Sequence, residues 1–188
     1  MIRECYQKEE SDNAKKLTKY THQEKHKIYS KPFDEQFENV HSSNGHTVKR
    51  HILRDINGMD YDRVLDAAKL YSDTNDVELL PEIHKSETEI RRKIGLTGNS
   101  NPDLRTSNHG FIDIKSPFSR KNIVRNAIES SKQGAIVCIT DDHLLIGESH
   151  LEQLSYSILN NREYTKNEVH WVVNGKLYKY NSHGRTRD

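Results

Sequence analysis

Apolar positions are unevenly spread along this chain. Met1 to about Asn44 is polar and poor in aliphatics, with breaks at Pro32 and at Ser42-Ser43-Asn44-Gly45. Such a stretch predicts a helical or loosely ordered arm that does not build a core. From Val48 onward the pattern becomes regular, so residues 1–47 read as the arm and 48–188 as one folded domain. Tyr61, Val64, Leu65, Ala68 and Tyr71 form a helical stripe, with Asp60 as the expected N-cap. Val77–Ile83 reads as a strand whose end Pro81 demotes to an edge or bend. Ser86–Ile94 reads as a short helix, opened by a capping box at Ser86–Glu89 and stopped at Gly95.

The next pattern is strand-like. Asp103–Thr106 and Gly110–Lys115 predict a hairpin through Ser107-Asn108-His109, ended by Pro117. Ser119–Lys132 predicts a helix with Ile123, Val124, Ala127 and Ile128 on its apolar stripe, Ser119 as a cap and Gly134 at its close. Ala135–Thr140 is almost wholly apolar, which marks a strand buried on both faces. A helix over Leu151–Leu159 and a hairpin over Val169–Tyr180, turning at Asn174-Gly175, complete the reading. The order of elements implies an α/β fold with a mixed sheet.

Composition narrows the function classes. Apolar residues are 32% and charged residues 30% of the 188 positions, and mean hydropathy is −0.95. Lys and Arg number 29 against 28 Asp and Glu, so a nucleic-acid partner has to be held by a local patch. Cys5 and Cys138 exclude a disulfide framework, and Cys138, inside AIVCI, reads as a buried thiol. No stretch approaches a membrane span and the first residues carry no apolar signal core, so the expectation is a soluble, cytoplasmic protein without a membrane partner. Gly95-Leu96-Thr97-Gly98 lacks the Lys-Ser/Thr of a phosphate loop.

The candidate chemistry lies in NPDLRTSNHGFIDIKSP, residues 101–117. An antiparallel hairpin brings Asp103 beside Asp113, and two carboxylates so placed suit a hard cation such as Mg²⁺ or Mn²⁺. Asp113 and Lys115 are two apart on a strand, so they share a face while Ile112 and Ile114 turn to the core. A metal there activates a water and polarises a phosphate oxygen. Lys115 then positions that water and stabilises the charge that develops. The plain alternative is a pair of strand-end carboxylates beside a solvated lysine.

Pro102-Asp103 followed by Asp113-Ile114-Lys115 resembles the motif of the PD-(D/E)xK nuclease superfamily, with Asp where Glu is commoner. The similarity spans roughly residues 61–140 and implies a restriction-endonuclease-like core of helix, three strands, helix and strand. More narrowly, LPE, PD, DIKSP and a Gln before the last core strand resemble the tRNase toxin domains of contact-dependent growth inhibition proteins and their relatives on phages and mobile elements. The resemblance implies a metal-dependent nuclease for structured RNA such as tRNA, and a cognate immunity protein. A deoxyribonuclease or a non-catalytic nucleic-acid-binding module on the same fold are the rivals. It also implies Glu82, in LPE, as a further metal ligand, in preference to Asp66, and Gln133 as a helper of Lys115. Substrate contacts are expected from Ser116, Ser119, Arg120, Lys121, Arg125 and His109. His46 and His51 resemble a histidine motif of metal-independent toxin ribonucleases but read best as arm or linker residues. Lys176, Lys179, Arg185 and Arg187, interleaved with Tyr178, Tyr180 and His183, read as a soluble tail.

Overall fold

The computed structural model describes residues 20–96, 99–182 and 184–186. Its centre is one mixed sheet of nine strands whose spatial order follows the chain order. The strands are β1 (Phe37–Ser43), β2 (His46–His51), β3 (Val77–Leu79), β4 (Leu104–Thr106), β5 (Gly110–Lys115), β6 (Ile136–Thr140), β7 (Glu168–Val173), β8 (Lys176–Asn181) and β9 (Gly184–Thr186). The helices are α1 (His22–Tyr29), α2 (Tyr61–Tyr71), α3 (Thr88–Ile94), α4 (Lys121–Lys132) and α5 (Leu151–Leu159). Pairing is parallel for β2/β3, β5/β6 and β6/β7 and antiparallel elsewhere. Strands β2, β3, β5, β6 and β7 therefore run in one direction, and their carboxyl ends lie on one edge of the sheet. The α/β class and the mixed sheet expected from the pattern are both present.

Helices cover both faces. On one face Leu79, Leu104, Ile112, Ile114, Ile136 and Cys138 pack against Tyr61, Val64, Ala67, Ala68 and Tyr71 of α2. On the other, Val137, Ile139, Val169, Trp171 and Val173 pack against Ile123 and Ala127 of α4 and Leu151 and Ile158 of α5. Strand β6 feeds both layers, and all five of its residues are buried, as an unbroken apolar run requires. Cys138 is fully buried, and burial pushes its thiol up to about 12. The β7–β8 turn is the Asn-Gly type, with Asn174 at φ 50° and Gly175 at φ 70°, the left-handed pair that a two-residue hairpin needs.

Several expectations are corrected. The polar stretch before Val48 is not merely an arm: residues 37–51 form the β1–β2 hairpin at the sheet edge, and a boundary at 47 would cut through it. Helix α1 does form, opened by a reciprocal Thr21–Glu24 capping box; residues 1–19, with Cys5, lie outside the described residues. His51 is no linker residue, since it is fully buried with Nε2 3.0 Å from Gln36 Oε1 and its Nδ1 accepting from Leu53 N–H. Burial lowers that imidazole to about 4, which keeps it neutral.

The tail is not free either. Tyr178, Lys179 and Tyr180 are buried on β8, and β9 extends the sheet; His183 and Arg187 lie outside the described residues. The capping box expected at Ser86 does not form: the Ser86 hydroxyl sits 2.7 Å from His84 Nδ1, and the helix starts at Thr88. Asp60 and Ser119 likewise make no capping hydrogen bond; the Asp60 carboxylate lies 3.7 Å from Arg54 instead. Among the described residues, no helix is long and apolar enough to cross a membrane.

Candidate functional site

The sheet brings the two carboxylates of the motif together. Asp103 stands one residue before Leu104, and Leu104 pairs with Ile112, the residue before Asp113. The backbone knits them on both sides: Asp103 N–H donates to the Ile112 carbonyl at 3.0 Å, and Ile114 N–H donates to Asp103 Oδ2 at 2.9 Å. A side-chain oxygen of Asp103 thus occupies the place of a strand carbonyl, which fixes the carboxylate at the level of Asp113.

Asp113 is almost fully buried, facing α4. Its Oδ2 accepts from the Ser130 hydroxyl at 2.6 Å and lies 3.0 Å from Lys115 Nζ. The shared face of Asp113 and Lys115, expected from their spacing, is observed. Among the described residues Asp113 Oδ1 makes no hydrogen bond, which leaves a carboxylate oxygen for a further partner. Asp103 Oδ1 lies 3.3 Å from the buried guanidinium of Arg54, which also donates to the Leu80 carbonyl at 3.1 Å. Burial pushes the Asp103 carboxyl up to about 6; Arg54 opposes the rise and the Asp113 charge adds to it. Two desolvated carboxylates side by side, each touched by one cation, form a site that gains from additional positive charge.

Arg54 and Ser130 were not legible as site residues. Ser130 had a signal: it falls on the stripe of Ile123 and Ala127, where a polar residue facing inward needs a buried partner. Arg54 lies in irregular chain between β2 and α2, where no periodicity points. Removing the Ser130 hydroxyl leaves a buried carboxylate short of a donor. Ser130→Ala is therefore expected to cost about 1–3 kcal/mol, read as a shift of the urea midpoint without change in slope.

Other predicted residues are distributed differently. Glu82 is exposed and lines a surface groove with Tyr29, Leu53 and His84; it joins no three-ligand cluster with Asp103 and Asp113 among the described residues. Asp66 is exposed and pairs with Lys69. Gln133 ends α4 before β6, whereas Lys115 pairs with Ile139 further along that strand; no hydrogen bond joins the two side chains. Ser116 donates to Asp142 at 2.8 Å. The Ser119 hydroxyl is buried without a hydrogen bond partner among the described residues. Arg120, Lys121 and Arg125 are exposed at the start of α4, Arg125 3.8 Å from Glu129. These residues follow the carboxyl end of β5, the edge of the sheet to which Asp103 also belongs.

His109 is the clearest departure. It precedes the amino end of β5, away from Lys115, and its Nδ1 lies 2.9 Å from Glu168 Oε2. The same oxygen lies 2.9 Å from His170 Nε2, and His170 Nδ1 is 2.6 Å from the Tyr71 hydroxyl. Hydrogen bonding from His170 holds Glu168 down at about 2, while burial lowers His170 to about 4 and also lowers His109. This second cluster rests on contacts across β6 and was invisible in the sequence.

Comparison with known protein families, curated proteins and solved structures found no match. The functional reading therefore rests on the geometry and on the motif resemblance.

Proposed function

We propose that this chain is a metal-dependent nuclease of the PD-(D/E)xK type that hydrolyses phosphodiester bonds of structured RNA such as tRNA. The observation that carries the reading is the placement of Asp103 opposite Asp113, held by hydrogen bonds of its N–H and its carboxylate to the flanking Ile112 and Ile114 backbone, with Lys115 on Asp113. The element order α2, β3, β4, β5, α4, β6 agrees with the core that the motif implies, with α3 inserted after β3. The preference for RNA, and an immunity protein as partner, rest on the toxin resemblance alone.

The donor set fits a hard cation, because oxygen ligands and adjoining negative charge are what Mg²⁺ or Mn²⁺ selects. Asp103 and Asp113 would hold it, and when bound it supplies Lewis-acid activation of water and phosphate. Ser130 and the Ile114 amide orient the two carboxylates. Lys115, half-buried beside Asp113, holds the attacking water and offsets charge building on the phosphate. Arg120 and Lys121, at the same edge, suit phosphate contacts that position the strand.

Phe118 adds a base contact. It is 79% exposed, two residues past Ser116, and stacks on His143 with ring centroids 4.4 Å apart and planes 16° from parallel. An exposed, supported ring beside the cleavage site suits stacking of an unpaired base. Phe118→Ala is expected to raise KM about tenfold, the scale of one base–aromatic stack, with stability changed by less than about 0.5 kcal/mol. Steady-state kinetics on a labelled RNA hairpin and a thermal melt check both halves.

The deciding experiment is incubation with total RNA and with plasmid DNA, each with Mg²⁺ and with chelator. Metal-dependent cleavage of RNA alone is the expected result. Cleavage of DNA alone would replace the substrate, and no cleavage of either would leave a binding module.

A further inference from the structure

We infer that His109, Glu168 and His170 form a site for a borderline transition-metal cation of the Zn²⁺ class, separate from the Asp103–Asp113 pair. Glu168 and His170 stand two apart on β7 and share a face, and the β4–β5 turn carries His109 to them past β6. One ligand atom from each lies within 4.8 Å of the other two, and Glu168 Oε2 is 2.9 Å from each imidazole nitrogen. The rings are not stacked but meet at 83°, centroids 4.9 Å apart.

Two imidazoles and one carboxylate are a known three-ligand set for Zn²⁺, with a fourth position left for water. Mg²⁺, which takes oxygen donors, is disfavoured here. Ligands at about 2.0–2.1 Å in a tetrahedron lie roughly 3.3 Å apart, so the 2.9 Å contacts have to open by only a few tenths of an ångström. A metal-bound imidazole needs its other nitrogen held, and the Tyr71 hydroxyl, itself fully buried, stands 2.6 Å from His170 Nδ1. Access is partial: side-chain exposure is 13% for His109, 23% for Glu168 and 0% for His170. Lys179, opposite His170 in the β7–β8 register and buried, is the positive group that the cation has to tolerate. A bound cation would staple the β4–β5 turn to β7, the far end of the strand that carries Asp113.

The inference does not depend on the nuclease reading. Calorimetric titration of chelator-treated protein with Zn²⁺ alone is expected to show one strong equivalent. Co²⁺ in its place is expected to give the intense visible bands of tetrahedral coordination. His109→Ala and Glu168→Gln should each weaken Zn²⁺ binding at least about 100-fold, and Tyr71→Phe about tenfold, the scale for a residue that orients a ligand. Asp113→Asn should leave it unchanged. The chain has eleven histidines, so binding elsewhere is the competing explanation. Undiminished affinity in folded His109→Ala and Glu168→Gln, or no stoichiometric binding, overturns the site. If those variants do not fold, the wild-type Co²⁺ spectrum decides, and an octahedral spectrum overturns it.

Discussion

Asp113→Asn is expected to lower metal-dependent cleavage by about 10³-fold or more while the protein stays folded. The substitution keeps the side-chain volume and a partner for the Ser130 hydroxyl, 2.6 Å away, but removes the charge facing Lys115 and any cation. A group that acts on charge developing in the transition state is worth about 10²–10³-fold by itself, and loss of the metal adds to that. Lys115→Met tests the other half. It should reduce kcat to a similar degree with less effect on KM, because its charge matters most in the transition state. The measurement is single-turnover cleavage of labelled RNA at saturating Mg²⁺, with circular dichroism to confirm the fold. Full activity in both variants would remove the enzyme reading.

Arg54→Met is expected to cost about 3–5 kcal/mol of stability, because it leaves the buried Asp103 carboxylate without its cation. The side chains of Arg54 and Asp103 are 6% and 14% exposed, so water does little to screen the pair. The same change has a pH signature. Asp103 already titrates at about 6 against an ordinary 3.8, chiefly through burial. Between about pH 4 and 6 the folded protein therefore holds a proton that the unfolded chain releases. The stabilisation from this group is complete below about pH 4 and is lost as pH rises through about 6. A divalent cation competes with that proton, so Mg²⁺-dependent activity should rise through pH 6 and then level off. Arg54→Met moves the rise upward by at least about one unit. Urea unfolding across pH 4–8 and a pH–rate profile at fixed Mg²⁺ check the two effects. An unshifted profile would mean that Arg54 does not act on Asp103.

Much of the scaffold was legible because its signals are local. The apolar run Ala135–Thr140, the stripe of Tyr61–Tyr71, Gly110–Lys115 and the Asn174-Gly175 turn each specify an element through neighbours a few residues apart, and each formed within one residue of where the pattern placed it. Caps were less legible. Ser86, Asp60 and Ser119 have the right chemistry for an N-cap, but other groups or tertiary placement took their side chains. The polar β1–β2 hairpin was missed because an edge pair packs one face only. Its alternation is weak, and His51 and Gln36 bury polar groups in place of aliphatics.

The sequence alone determined which chemistry the hairpin could offer: two carboxylates and a lysine at spacings that strand geometry turns to one face. Tertiary structure decided which of the surrounding candidates reach that chemistry. It supplied Arg54 and Ser130 from an irregular loop and a helix, and it carried His109 to the opposite end of the strand, into contact with Glu168 and His170. The reason is physical. A strand's alternation relates residues two apart, whereas contacts between elements depend on sheet order and helix placement, which set which distant residues share a desolvated space.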